Sequence, residues 1–424
     1  MDYCEEYSGH FNKSACEHAR HYLSGLLGRT ARKNIGQIGE DVTGSDYQGM
    51  QQFISNSPWD HGRVMEQVAG QASAILGAHR DCALYIDETS FVKKGGGSVG
   101  VQKQYCGRPG KIENCQVGVF ASLGRGERAA LVDFRLFLPQ SWAQDPRRCA
   151  KAGIPQDSRK HQTKNELALQ MIKKARERKL GHQWIGADEN HGNSRELTDA
   201  IDDMGETYLM DIAHDTRVWE TKPEPGKTTP RHKQTGASKL AGRHFEKESR
   251  QVTTRQSTRG KINVRIWVRT VWVWAGGNDR VRERLLIVRQ EADGAFKHSL
   301  SNAPAATAWE RLACMQGQRY FIERAFEDGK SELGLADYEV RGWKGWHHHM
   351  TLCCMAQLFC LKERIGYARD YPLLSVRDIV GLLAYYLPRK NRDKAAVLAD
   401  LRSRHEARRK DILRRSKPDG NLTK

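Results

Sequence analysis

The chain has 424 residues, with 69 Lys and Arg against 51 Asp and Glu, a formal charge of +18 that points to a polyanionic partner. With 38% hydrophobic residues and no long low-complexity tract, a disordered chain is excluded and two or three domains with ample core are allowed. The longest apolar run, 350–361, falls well short of the roughly 20 residues a bilayer span needs, so it reads as a buried helix and no membrane partner is expected.

The start, MDYCEEYSGH, does not resemble a signal peptide. Ten cysteines without a CxxC pair or regular spacing suit reduced thiols in a cytoplasmic compartment.

Residues 1–78 read as helical, with Tyr22, Leu23, Leu26 and Leu27 at three- and four-residue spacing and further helices predicted at 47–54 and 60–76. The basic, glycine-punctuated stretch GRTARKNIGQIG (28–39) either contacts phosphates or forms a solvated charged face.

From 79 to 212 short apolar runs bounded by turn residues take over. CALYID (82–87), CQVGVFASL (115–123) and RAALVDFRLFL (128–138) are each long enough for a strand. A helix over 165–179, the strand HQWIGAD (182–188), a helix in 192–205 and a strand at 206–212 follow. Three strands, helix, strand, helix, strand make a mixed α/β sheet. KKGGGS (93–98) lacks the residue order of a nucleotide-binding loop and reads as a flexible loop near the site, with Lys93, Lys94 and Lys103 facing either DNA phosphates or solvent.

Residues 213–300 interrupt this plan. A polar, loop-like stretch (222–239) precedes 262–290, which alternates apolar and basic residues around Gly276-Gly277-Asn278-Asp279 and predicts an inserted β-hairpin. Arg265, Trp267 and Arg269 share one strand face. They can stack on bases and neutralise phosphates, or, like Trp272 and Trp274, serve as ordinary sheet packing.

The segment 301–386 contains a helix predicted over 307–330. At about 100° per residue, Arg319, Glu323 and Lys330 fall on one stripe, with Glu327 as a rival acid on the same face. A carboxylate flanked by two cations can bind a divalent ion while the cations hold phosphates, although an amphipathic surface helix with ion pairs has the same pattern. His347, His348 and His349 followed by Cys353 and Cys354 bring no second ligand pair at zinc-finger spacing. The arginine-rich 387–424 reads as a basic helix on DNA or between subunits, or as a frayed terminus.

Three acids thus stand at separate points, Asp87, Asp188 and Glu323. Two Mg²⁺ ions roughly 3.5–4 Å apart can activate an attacking oxygen and stabilise a leaving one when such carboxylates converge. Glu88, beside Asp87, points to the opposite strand face, so only one of the two enters a shared site.

The segments YIDETSFVKKGGGSVGVQKQYCGRPGKIENCQVGVF, WIGADENHGNSREL and RYFIERAFEDGKSELGLADYEVRGWKGWHHHMTL together resemble the DDE transposases of bacterial insertion sequences, in the branch with a Tyr-Arg-Glu-Lys signature. The resemblance spans most of the chain. It implies an α/β fold with a ribonuclease-H-like mixed-sheet catalytic domain in two parts (79–212 and 301–386), a β-rich insertion (213–300), a helical N-terminal DNA-binding region (1–78) and a basic tail (387–424). Asp87, Asp188 and Glu323 match its catalytic acids, which would hold two Mg²⁺ ions, with Mn²⁺ able to substitute. Arg319 and Lys330 match the signature's DNA-binding Arg and Lys. The signature Tyr falls on Gln316, and Tyr320 lies too far round the helix to replace it. The implied partners are double-stranded DNA, as the element's terminal inverted repeats and as target, and a second subunit, giving at least a dimer on DNA in the bacterial cytoplasm, at the nucleoid. A hairpin DNA intermediate, with an insertion tryptophan stacked on a displaced base, belongs to the same implication. Two other readings use the same residues: a ribonuclease-H-like nuclease without strand transfer, and a transposase-derived DNA-binding protein that no longer cuts.

Overall fold

The computed structural model describes residues 2–107, 110–224, 233–257, 260–275, 280–390 and 393–415. The predicted turn Gly276-Gly277-Asn278-Asp279 and part of the polar loop before it lie outside the described residues.

After a 3-10 segment at Asp2–His10 come four helices: α1 (Lys13–Leu27), α2 (Ile35–Asp41), α3 (Tyr47–Ser55) and α4 (His61–Leu76). Each starts on a side-chain cap, Asn12, Asn34, Asp46 and Asp60 in turn accepting a backbone N–H of the first helical turn.

The sheet begins with β1 (Cys82–Val92), β2 (Gln102–Cys106), β3 (Lys111–Arg125) and β4 (Arg128–Leu136). β2 was not among the predicted strands. It is a five-residue edge with only Cys106 buried, so it carries no apolar run. α5 (Gln140–Ala143), α6 (Pro146–Lys151) and α7 (Lys164–Glu177) lead to β5 (Trp184–Ala187). The single turn α8 (Glu189–Gly192), α9 (Arg195–Asp203) and β6 (Tyr208–Asp211) follow. Next come a short ribbon, β7 (Arg217–Val218) with β8 (Thr235–Gly236), then α10 (Ala237–Glu248) and four strands, β9 (Arg250–Ser257), β10 (Gly260–Trp274), β11 (Val281–Gln290) and β12 (Phe296–Ser301). The chain closes with α11 (Trp309–Gln318), α12 (Tyr320–Ser331), α13 (Trp343–Gly366), α14 (Val376–Tyr386) and α15 (Lys394–Arg415).

Ten strands form one mixed sheet in the order β2-β3-β1-β5-β6-β12-β11-β10-β9, with β4 also on β3. β1 runs antiparallel to β3 and parallel to β5, β5 is parallel to β6, and β12 returns antiparallel to β6. The predicted hairpin of the insertion is therefore only part of it: β10 and β11 are flanked by β9 and β12 and extend the central sheet.

One apolar core runs from Tyr3 to Val380, shared by the first four helices, the sheet and α13. α13 is buried on nearly every face, as an all-round apolar helix must be. Among the described residues no helix is long and apolar enough to cross a membrane. A second, smaller core lies where α10 covers β10 and β11, built on Leu240, Phe245, Trp267, Val271 and Leu286.

Two local expectations are corrected. β1 does not end at Asp87. It leaves its parallel partner β5 after Ile86 but stays paired with β3 as far as Val92. The helix predicted over 307–330 is divided at Arg319, where the Ile322 N–H bonds to the Arg319 carbonyl at 3.1 Å, a tighter i to i−3 turn.

Candidate active site

Ile86 and Ala187 are the last pair of the parallel β1–β5 ladder, so Asp87 and Asp188 follow side by side at its carboxyl end. That edge is where open α/β sheets place their ligands. Asp188 caps α8, accepting the His191 N–H at 3.3 Å through Oδ1 and the Asn190 side-chain amide at 3.3 Å through Oδ2. α12 brings Arg319, Glu323 and Lys330 over the same edge. All five residues line one cavity of about 550 Å³.

The environments of the acids differ. Asp87 is 8% exposed, and burial pushes its carboxyl up to about 7; the Arg319 guanidinium opposes this, and the nearby Asp188 and Glu323 carboxylates add to it. Glu323 has a side chain 50% exposed. Glu88 and Glu327 line the same cavity, contrary to the expectation that only one of Asp87 and Glu88 enters the site, but each is ion-paired, Glu88 with Lys164 at 2.6 Å and Glu327 with Arg324 at 2.9 Å.

Arg319 is the centre of the cluster. Its Nε donates to Asp211 Oδ2 at 3.2 Å, Nη1 to Asp87 Oδ2 at 3.5 Å, and Nη2 lies 3.0 Å from Glu323 Oε1. Burial works against its charge, yet Asp211, Asp87 and Glu323 hold it above the ordinary arginine value. Asp211 was not singled out from the sequence. It ends the apolar run of β6 as Asp87 and Asp188 end theirs, and that shared pattern was the available signal.

Lys330 reaches β1, its Nζ donating to Thr89 Oγ1 at 2.7 Å and to the Ser90 carbonyl at 3.1 Å. Lys94 and Lys103 are exposed. Lys93 is turned inward: its Nζ donates to the Tyr338 carbonyl at 3.0 Å, lies 3.3 Å from that ring's centre, and is lowered to about 8 by burial.

The expected DNA face of the insertion is covered at Trp267, while Arg265 and Arg269 keep 40% and 31% of their side chains exposed. Arg265, Trp267 and Arg269 do share one side of β10, but α10 packs on it. Arg265 pairs with Glu246 at 3.0 Å and Arg269 with Glu220 at 3.0 Å. Trp267 is fully buried, stacked on His244, and donates its indole N–H to Glu248 at 2.8 Å. Strand periodicity sets which residues share a face; it does not report what lies on top.

Gln316, at the position of the signature tyrosine, is 4% exposed, while Tyr320 is 48% exposed. The histidine cluster is packing: His347 bonds to the Trp343 carbonyl, the neutral His348 ring donates its one N–H to the carbonyl of Ile54 or of Trp59, and His349 bonds to the Tyr22 hydroxyl and Cys353.

An all-oxygen set such as Asp87, Asp188 and Glu323 suits a hard divalent cation. As arranged, no three His, Cys, Asp or Glu among the described residues could hold a metal ion. The Arg319 guanidinium lies against two of the three acids, Asp87 and Glu323.

A model of the family described as DDE superfamily endonuclease matches residues 6–272, more than half of the chain. The chain belongs to that family. Endonucleases of this type use divalent metal ions. Asp87 and Asp188 of this DDE endonuclease lie inside the matched stretch, whereas Glu323 lies beyond it. A Microchaete diplosiphon protein named "Probable transposase for insertion sequence element IS701" is 28% identical over 213 residues, covering 50% of this chain and 53% of that protein. The chain thus spans about half the length of the curated relative it matches.

Proposed function

We propose that this DDE endonuclease is the transposase of a bacterial insertion sequence, cutting DNA at the element's terminal inverted repeats and joining the ends to target DNA. The observation that carries the proposal is the convergence of Asp87, Asp188 and Glu323 on one cavity from a strand, a strand end and a helix. The name of the relative, matched over about half of its length, points the same way. The strand order β4-β3-β1-β5-β6, antiparallel in its first three members and parallel in its last three, supports a ribonuclease-H-like reading of the catalytic part.

Asp87, Asp188 and Glu323 would hold two Mg²⁺ ions, with Mn²⁺ as a substitute. Bound there, such ions supply positive charge for the leaving oxygen and make water, and later a DNA 3′-hydroxyl, a better nucleophile. The chain's own residues do the rest. The α8 cap fixes the Asp188 carboxylate toward the cavity. Asp87 is buried beside the Asp188 and Glu323 carboxylates, and a cation bound among the three would offset their mutual repulsion. Arg319 and Lys330, on the same helix face as Glu323, orient the phosphate to be cut. Arg29 and Arg32 on the N-terminal helical region and Lys94 after β1 are exposed cations suited to backbone contacts, in a chain of formal charge +18. Two copies acting on two element ends would keep single breaks from arising alone.

The test is a labelled duplex carrying the element's terminal repeat, incubated with a target plasmid and Mg²⁺. Joined products are expected. Hydrolysed products alone would favour a nuclease without strand transfer, and absence of any metal-dependent product would favour a protein that only binds DNA.

A further inference from the structure

We infer that Asp211 is a positioning residue of this site: tied down by Ser299 and Gln316, it anchors Arg319 as a built-in counter-ion that metal must displace from Asp87 and Glu323. The inference rests on the metal-site reading above.

The hydrogen-bond chain has a forced direction. Asp211 ends β6 opposite Ser299 of β12. A carboxylate can only accept, so the fully buried Ser299 hydroxyl donates to Asp211 Oδ1 at 2.7 Å. That uses the hydroxyl's single proton, and the Ser299 oxygen in turn accepts the Gln316 side-chain N–H at 2.7 Å. Gln316 keeps this orientation although its buried Oε1 has no partner among the described residues, an arrangement that usually costs about 1–3 kcal/mol. Gln316 thus works inward, on the anchor.

The anchor leaves Asp211 Oδ2 for Arg319 Nε, and only Nη1 and Nη2 face the cavity acids. A divalent cation on Asp87 and Glu323 would repel those two nitrogens. Pivoting about Nε moves them off the acids while the Asp211 contact persists. The guanidinium then stays at the cavity rim with two free donors, suited to a phosphate oxygen. Without the Asp211 charge, Arg319 would lean wholly on Asp87 and Glu323, and metal would compete less well.

The experiment follows Mn²⁺ binding to the full chain without DNA, by the electron paramagnetic resonance of free Mn²⁺. Asp211→Asn is expected to weaken Mn²⁺ binding about tenfold, or ~1.4 kcal/mol. Ser299→Ala is expected to weaken it in the same direction by less, and serves if Asp211→Asn does not fold. Arg319→Gln is expected to tighten binding, because the competitor is gone. In the Arg319→Gln background, adding Asp211→Asn is expected to change affinity by no more than about twofold, since its effect travels through the guanidinium. A fold defect would not show this dependence on Arg319. The inference is overturned if Asp211→Asn and Ser299→Ala bind Mn²⁺ like the wild type while Asp188→Asn does not bind. An equal loss with and without Arg319 also overturns it, for Asp211 would then act on the metal directly. Unchanged binding in Asp188→Asn would instead sink the metal-site reading, and this inference with it.

Discussion

Asp188 stands beside Asp87 at the open end of the β1–β5 ladder and, with the same side chain, caps the helix turn that follows it. The cap and the charge can be separated, because asparagine caps a helix about as well as aspartate. Asp188→Asn is therefore expected to leave thermal stability within about 0.5 kcal/mol of wild type. Metal-dependent cleavage should fall at least about a thousandfold, since metal charge stabilisation contributes several kcal/mol. Melting curves and single-turnover cleavage read the two effects separately, and retained cleavage would remove Asp188 from the site.

Trp267 is a structural residue. Fully buried between β10 and α10 and bonded to Glu248, it should cost about 3–5 kcal/mol when replaced by alanine. DNA affinity, measured at a temperature where the variant is folded, should not change. A loss of affinity without a loss of stability would restore a base-stacking role.

Lys93 and Lys94 are neighbours with different fates. Lys93→Ala removes the contacts to Tyr338 and is expected to lower stability by about 1–2 kcal/mol while the salt dependence of DNA binding stays the same. Lys94 is exposed, and as a phosphate contact its loss should reduce the salt slope by about 1. Binding isotherms at several salt concentrations distinguish the two.

Acid should destabilise the fold through α13. Burial, with the His61 ring and the cations Arg135, Lys344 and Lys93 nearby, lowers His347 well below the ordinary range, His348 to about 4 and His349 to about 3. In the unfolded chain each titrates near 6.5. Between about pH 6.5 and 4 the unfolded chain therefore takes up protons that the folded chain refuses. The stability these neutral rings contribute is complete above about pH 6.5 and is lost as pH falls, by up to about 1.4 kcal/mol per unit for each ring. Urea midpoints from pH 7 down to 4.5 test this; a flat profile would mean that the rings are solvated.

Much of this was legible before any coordinates. Apolar runs ending in Asp located Asp87 and Asp188, and the 3.6-residue stripe grouped Arg319, Glu323 and Lys330. Strands without apolar runs were not legible: β2 and β9 lie at the sheet's margins, where alternation with solvent leaves a mostly polar sequence. The cover of α10 over Trp267 and the grouping of Asp211, Ser299 and Gln316 around Arg319 depend on contacts between residues far apart in the chain, which no local period encodes.

The most direct measurement is anomalous diffraction from the protein crystallised with a terminal-repeat duplex and Mn²⁺. Peaks are expected in the cavity, in contact with Asp87, Asp188 and Glu323, with Arg319 off Asp87 and Glu323 and still bonded to Asp211. Mn²⁺ bound only elsewhere at saturating concentration, with the guanidinium still against Asp87 and Glu323, would contradict the assignment of these acids as the metal site.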